Sequence, residues 1–300
     1  MQDLKSGTLL VLGSAVVWSF GGAIARFISI DDVWTIVFWR AAWGALFLIG
    51  FLVARDGLLG TVQLFRKMGI PGIGVALCFA TASTSFIVAL SYTTVANILL
   101  IQAGVPLIAA LLGRLLFNER VAAATWLAIA AVILGVGIMV SDSIDTKVSL
   151  IGSALSMLIA LAFASATVIT RHYANVRMTP ACCLGTLFSV AVSAALAEGF
   201  YVTARDMGLL FAFGALNLGL GLALFATGAR AVPAAVTALI GTTEPVLGPL
   251  WVWLIHNEIP SRLTLVGGSI VVLALITHLL LQFSLQRNGR SQLSSADETG

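Results

Sequence analysis

Two ionisable residues stand deep inside apolar runs: Glu244, in Gly241-Thr242-Thr243-Glu244-Pro245, and Arg40. Proline lacks a backbone N–H and crowds the carbonyl four residues earlier. The carbonyls it frees, together with the adjoining carboxylate, can bind an ammonium group or a proton. The structural alternative is that Glu244 caps freed backbone groups, or pairs with a cation to hold two helices together. Arg40 likewise has two readings: it meets the carboxylate of a ligand, or it snorkels and fixes helix packing. Either charge is costly to leave unpaired in lipid, and such residues are functional hypotheses by default.

A set of uncharged polar residues accompanies them: Thr81, Ser83, Thr84, Ser85, Asn97, Gln102, Ser165, Thr167, Asn217, Thr242 and Thr243. Hydroxyls can return hydrogen bonds to their own helix, so part of this set serves packing alone. Asn97, Gln102 and Asn217 have no such simple partner and are expected to face the interior. Trp18, remote from any interfacial belt, either packs on its neighbours or lines a cavity in which an aromatic group would stack. The expected binding set is Trp18, Thr81, Ser85, Asn97, Gln102, Ser165, Asn217, Thr243 and Glu244, with Pro106 and Pro245 as helix breaks.

Catalytic signatures are missing from the sequence. There is no nucleophile elbow, no zinc-protease motif and no phosphate-binding loop. Cys78, Cys182 and Cys183 lie in apolar stretches without metal-type spacing, and read as inert buried thiols. No cofactor or metal is expected, and a chain without basic patches interleaved with aromatics has no nucleic-acid partner. The composition therefore argues against an enzyme.

The elements that must hold these residues are membrane helices. Of 300 residues, 59% are hydrophobic and only 10% charged, where soluble domains carry about 25%. Ten apolar spans are expected, near 7–27, 33–54, 70–91, 94–116, 122–141, 149–170, 179–201, 207–229, 232–255 and 261–283, each near the roughly 20 residues a bilayer requires. Composition marks 285–300 as a disordered, solvated tail. Eleven Lys and Arg fall on the face that holds both termini and four on the other, which puts both termini in the cytoplasm.

Residues 91 to 140 recur in degraded form 139 positions later. Asn118-Glu119 maps onto Asn257-Glu258, Pro106 onto Pro245, Leu111 onto Leu250 and Ala96 onto Ala235. Trp18 to Arg26 echoes Phe163 to Arg171 more weakly. Five crossings separate equivalent elements, so the two halves, 1–144 and 145–284, are antiparallel. Matched prolines in inverted repeats point to a site between paired broken helices.

Trp18 to Arg26, Arg40, Pro106 to Glu119, Glu244-Pro245 and Asn257-Glu258 together resemble the drug/metabolite transporter superfamily and its EamA-like repeat. Within it the chain looks most like the bacterial aromatic amino acid exporters. The resemblance implies an all-α inner-membrane protein of ten transmembrane helices in two inverted five-helix repeats, exporting small metabolites by alternating access around a central cavity. The expected cargo is amino acids, aromatic ones included. Drugs, sugars or nucleotide-type metabolites of the same superfamily are the alternative. Its partners are then a small-molecule substrate and the lipid bilayer; oligomeric state and coupling ion stay open.

Overall fold

The structure, a computed structural model, describes residues 2–93, 98, 101–119, 121–141, 149–256 and 262–297. The expected site residue Asn97 and the repeat marker Asn257-Glu258 lie outside these. The described residues form helices and no strands: α1 (Gln2–Ser19), α2 (Gly21–Ala25), α3 (Val33–Lys67), α4 (Gly69–Ala89), α5 (Val105–Phe117), α6 (Ala123–Val140), α7 (Leu150–His172) and α8 (Thr179–Leu196). Then come α9 (Ala204–Phe211), a π-helical segment (Ala212–Gly219), α10 (Leu220–Gly228), α11 (Ala234–Gly241), α12 (Thr243–His256) and α13 (Arg262–Asp297).

Seven stretches are long and apolar enough to cross a membrane: Leu4–Ala25, Val33–Lys67, Gly69–Ala89, Leu150–His172, Thr179–Leu196, Ala204–Gly228 and Ala234–Ile255. The other three expected spans are shorter apolar helices, Val105–Phe117, Ala123–Ile138 and Leu265–Leu281. At 1.5 Å per residue, a 13-residue helix such as α5 covers only about 20 Å. The last helix runs to Asp297, past position 285 where composition places a disordered tail. No proline interrupts 285–297, so nothing in that stretch forbids helical backbone.

Three spans are discontinuous, each for a readable reason. In the first, α1 gives way to α2 at Phe20, where Gly21-Gly22 follow and Ser19 returns its hydroxyl to the Val16 carbonyl (2.6 Å). Ahead of α5 the chain turns at Ala103-Gly104, and Pro106 is the second residue of the new helix. Between α11 and α12 it turns at Thr242, and Pro245 is the third residue of α12. Pro106 and Pro245 cannot donate to the carbonyls of Gln102 and Gly241, so both helices restart at the prolines. The two prolines thus occupy equivalent places.

The repeated Asn-Glu pair has a local explanation in its first copy. Asn118 adopts left-handed backbone (φ 57°) and closes α5, its N–H reaching the Arg114 carbonyl (3.2 Å). The Glu119 N–H reaches Gly113 O (3.0 Å). Asparagine tolerates this conformation, and the paired bonds satisfy the carbonyls a helix end leaves free.

α3 packs along α8 and the π segment, α4 along α7 and α8, α1 along α10, and α6 along α13. One core joins Leu48, Val75, Phe79, Ala166, Cys182, Cys183 and Phe225. A second gathers Val11, Ile129, Val132, Val136, Leu239 and Val271. All three thiols are free and fully or partly buried. Opposite the Arg55 end, the α3 N-terminus is stapled to the loop after α8. Asp32 accepts from the N–H groups of Trp34, Thr35 and Glu198, and Thr35 donates to Gly199 O (2.6 Å).

Candidate functional site

The α1–α2 break is the hub. The π segment and α12 come together around it, and α3 packs on the π segment. Asn217, on the π segment and 3% exposed, donates through its amide nitrogen to the carbonyls of Val17 (2.6 Å) and Trp18 (3.2 Å). An interrupted helix leaves such carbonyls short of partners; Val17 O accepts otherwise from the Phe20 N–H at 3.4 Å. A side-chain amide is well suited to such a splice, because it brings two N–H donors. From the other side, Trp251 donates its indole N–H to Ser19 Oγ (2.7 Å) and stacks on Phe20 at 4.2 Å. By position Trp251 belongs to an interfacial belt; the structure instead turns it inward onto the break.

Trp18 ends α1 with its ring in an aromatic cluster. Its centroid lies 5.9 Å from Phe163 and 5.6 Å from Phe225. Phe79 completes the group, 6.1 Å from Phe163 and 5.8 Å from Phe225. Rings at these separations and tilts attract through their edges and faces. The indole N–H of Trp18 is buried with no hydrogen-bond partner. Gly221 makes room for this ring: a Cβ there would strike Nε1.

Arg40 reaches inward from α3. It donates from Nη1 to Ser83 Oγ (3.0 Å), and its guanidinium carbon sits 4.4 Å above the centre of the Phe213 ring. Its Nε–H is buried and unpartnered. Glu244, in the first turn of α12, attracts Arg40 electrostatically, yet no direct ion pair joins them. The N-terminus of a helix carries partial positive charge, which favours a carboxylate at that turn. The two deep charges, read singly from sequence, therefore belong to one electrostatic site.

The remaining expected residues divide. Thr243 returns its hydroxyl to Ile240 O (2.7 Å), so it serves its own helix turn. Thr81 and Ser85 lie on α4 and Ser165 on α7, two helices packed side by side; Ser85 is buried, Thr81 and Ser165 half-buried. Gln102 lies half-buried at the turn that precedes α5, which packs on α7 and α11 rather than against the α1–α2 break. Three members of the site were not singled out from sequence: Phe213, Ser83 as the anchor of Arg40, and Trp251. Among the described residues no group of three His, Cys, Asp or Glu could hold a metal ion.

One family model matches the chain twice. The EamA-like transporter family matches residues 5–141 and again residues 150–280. The chain belongs to the EamA-like transporter family. As an EamA-like protein it is a multi-pass membrane transporter, and its charged pair and polar splice sit within a transport fold. It is similar to the pseudopaline exporter CntI of Pseudomonas aeruginosa, from strains UCBPP-PA14 and PAO1. Each relative is 28% identical over 285 residues, covering 91% of this chain and 95% of theirs. A crystal structure of a protein with 17% identity superposes with a TM-score of 0.80, covering 93% of this EamA-like chain and 98% of the other, and shows the shared fold.

Proposed function

We propose that the protein exports amino acids, aromatic ones included, across the bacterial inner membrane by alternating access. The observation that carries this reading is the Arg40–Glu244 pair, two opposite charges that attract without closing an ion pair. A zwitterion complements such groups in charge, its carboxylate toward the guanidinium and its ammonium toward the carboxylate. The aromatic cluster around Trp18 lies beside the same helix break and offers ring faces to an apolar or aromatic side chain.

The architecture that serves this function is ten crossings in two antiparallel five-helix repeats, 1–144 and 145–284, with both termini cytoplasmic. The paired restarts at Pro106 and Pro245 support the repeat, and the excess of cations on one face supports the orientation. Trp18, Asn217 and Glu244 belong to the working set, with Arg40 added, while Thr243 shapes the turn that presents Glu244. Thr81, Ser85, Asn97, Gln102 and Ser165 extend it along the first half and α7.

The test is flux in liposomes reconstituted with purified protein. Phenylalanine and threonine should move faster than in protein-free vesicles, and flat flux for every amino acid would sink the assignment. Similarity to a pseudopaline exporter favours a second reading, export of that compound or of another superfamily metabolite. Pseudopaline that competes with phenylalanine flux, or moves when phenylalanine does not, would favour the second reading.

A further inference from the structure

Four arginines converge at the end of the bundle remote from Asp32. Arg55 precedes the kink in α3, Arg171 is in the last turn of α7, Arg177 precedes α8, and Arg230 follows α10. They are knitted together: Arg171 Nη1 donates to Arg230 O (2.7 Å), and Arg230 Nε to Ala174 O (2.6 Å). Burial, then the charges of Arg177 and Arg55, hold the Arg230 guanidinium below its usual range. Two carboxylates face this group. Asp56 binds Arg177 at 2.6 Å, and Glu119 stands 4.0 Å from Arg171. Among the described residues the balance of this cluster is two positive charges in excess. Like charges brought this close repel unless an anion joins them.

The same corner carries an apolar shelf. Helix α3 changes course at Gly57, whose φ of 70° and ψ of 172° favour glycine. Beyond the kink Leu64 and Phe65 pack on the core, while Leu58 (73%), Leu59 (82%) and Val62 (51%) are exposed. Exposed Arg66 and Lys67 close the segment. In a membrane transporter, exposed leucines beside basic groups mark the boundary between acyl chains and headgroups.

We propose that Arg55, Arg177 and Arg230 form a binding site for the phosphate headgroup of an anionic phospholipid, whose acyl chains lie along Leu58, Leu59 and Val62. Basic pockets between membrane helices bind such headgroups, and guanidinium forks match phosphate oxygens in pairs. The lipid would tie α3, the loop before α8 and the end of α10 into one corner.

The experiment titrates cardiolipin into the full-length protein in detergent and follows thermal stability, with phosphatidylcholine and inorganic phosphate as the other arms. Cardiolipin should protect, and phosphatidylcholine and phosphate should not. Arg55→Gln should weaken the apparent cardiolipin affinity about fivefold, and Arg55→Gln/Arg230→Gln about 25-fold, at the strength expected per arginine near an anionic surface. Arg205→Gln removes one charge at the opposite end and should leave the affinity unchanged, whereas Arg55→Lys, which keeps the charge but loses the fork, should recover only part of what Arg55→Gln loses. Equal losses in Arg55→Gln and Arg205→Gln would overturn the site. Protection by inorganic phosphate equal to that by cardiolipin would overturn the lipid as its occupant. Should the double variant not fold, Arg55→Gln alone decides.

Discussion

Arg40 and Glu244 come from opposite halves of the sequence, 204 positions apart, and attract one another across a gap with no direct ion pair. Ser83 and the Phe213 ring hold the arginine, and the first turn of α12 holds the glutamate. Each charge attracts the other in an otherwise apolar bundle.

Neutralising one of them should therefore do more damage to the fold than neutralising both. Removing one partner of a buried pair costs about 3–5 kcal/mol, whereas replacing both is often close to neutral. Thermal unfolding in detergent should rank Arg40→Gln below Arg40→Gln/Glu244→Gln. In reconstituted vesicles Glu244→Gln should lose flux while the protein stays folded. Unchanged transport in that variant would return Glu244 to a structural role.

The fit of Trp18 against Gly221 gives a second expectation. Gly221→Ala puts a methyl group into the space of the indole, and overpacking of this kind costs about 1–3 kcal/mol. Trp18→Phe should restore the melting temperature of Gly221→Ala, since a smaller ring vacates the clash. If Gly221→Ala melts like the parent protein, the packing described here is wrong.

Asn217→Leu should remove both donors to the Val17 and Trp18 carbonyls while keeping the branched shape and heavy-atom count of the side chain. Buried carbonyls left unpaired cost about 1–3 kcal/mol each. Stability should drop by that order and flux with it, whereas Asn217→Gln should recover part of both. Hydrogen exchange confined to residues 15–25 would report the loosened break directly.

Acid sensitivity should originate at Asp32. Burial raises the pKa of its carboxyl, but hydrogen bonds from Thr35, Trp34 and Glu198 outweigh this and hold it below the usual carboxylate range. A folded-state pKa below the unfolded one adds stability that is complete above the unfolded value, near pH 4, and fades as pH falls through the folded one. Melting temperature should fall on acidification below about pH 4, and Asp32→Asn should flatten that part of the curve. An unaltered acid limb would assign the effect elsewhere.

Much of this arrangement was legible in the residues. Glu244 and Arg40 stand out because charge is so rare in these runs, and Pro106 and Pro245 because a proline inside an apolar helix must restart it. Asn217 was expected to face inward, and it does. Its partners were not legible, because Val17 O and Trp18 O become acceptors only once the first span breaks, and no proline marks that break. The inward contact of Trp251 is hidden from the sequence for a related reason. Distance from a span end suggests a belt position, whereas the tilt and interruption of neighbouring helices decide what a ring touches. The Arg40–Glu244 relationship needed the tertiary fold, since nothing in either segment names the other.

The π segment, Ala212–Gly219, makes the eighth span longer by one residue per turn than an α-helix would be. That surplus residue sets the phase of the span. It lets Phe213 sit beneath Arg40 while Asn217, four positions on, turns to the carbonyls of α1. Deleting a single residue there would regularise the helix and swing everything beyond it by about 100°. The inward-facing side from Leu220 onward would turn about a quarter circle away from its neighbours, and Gly221 would no longer lie against Trp18. In this span the count of residues matters as much as their chemistry.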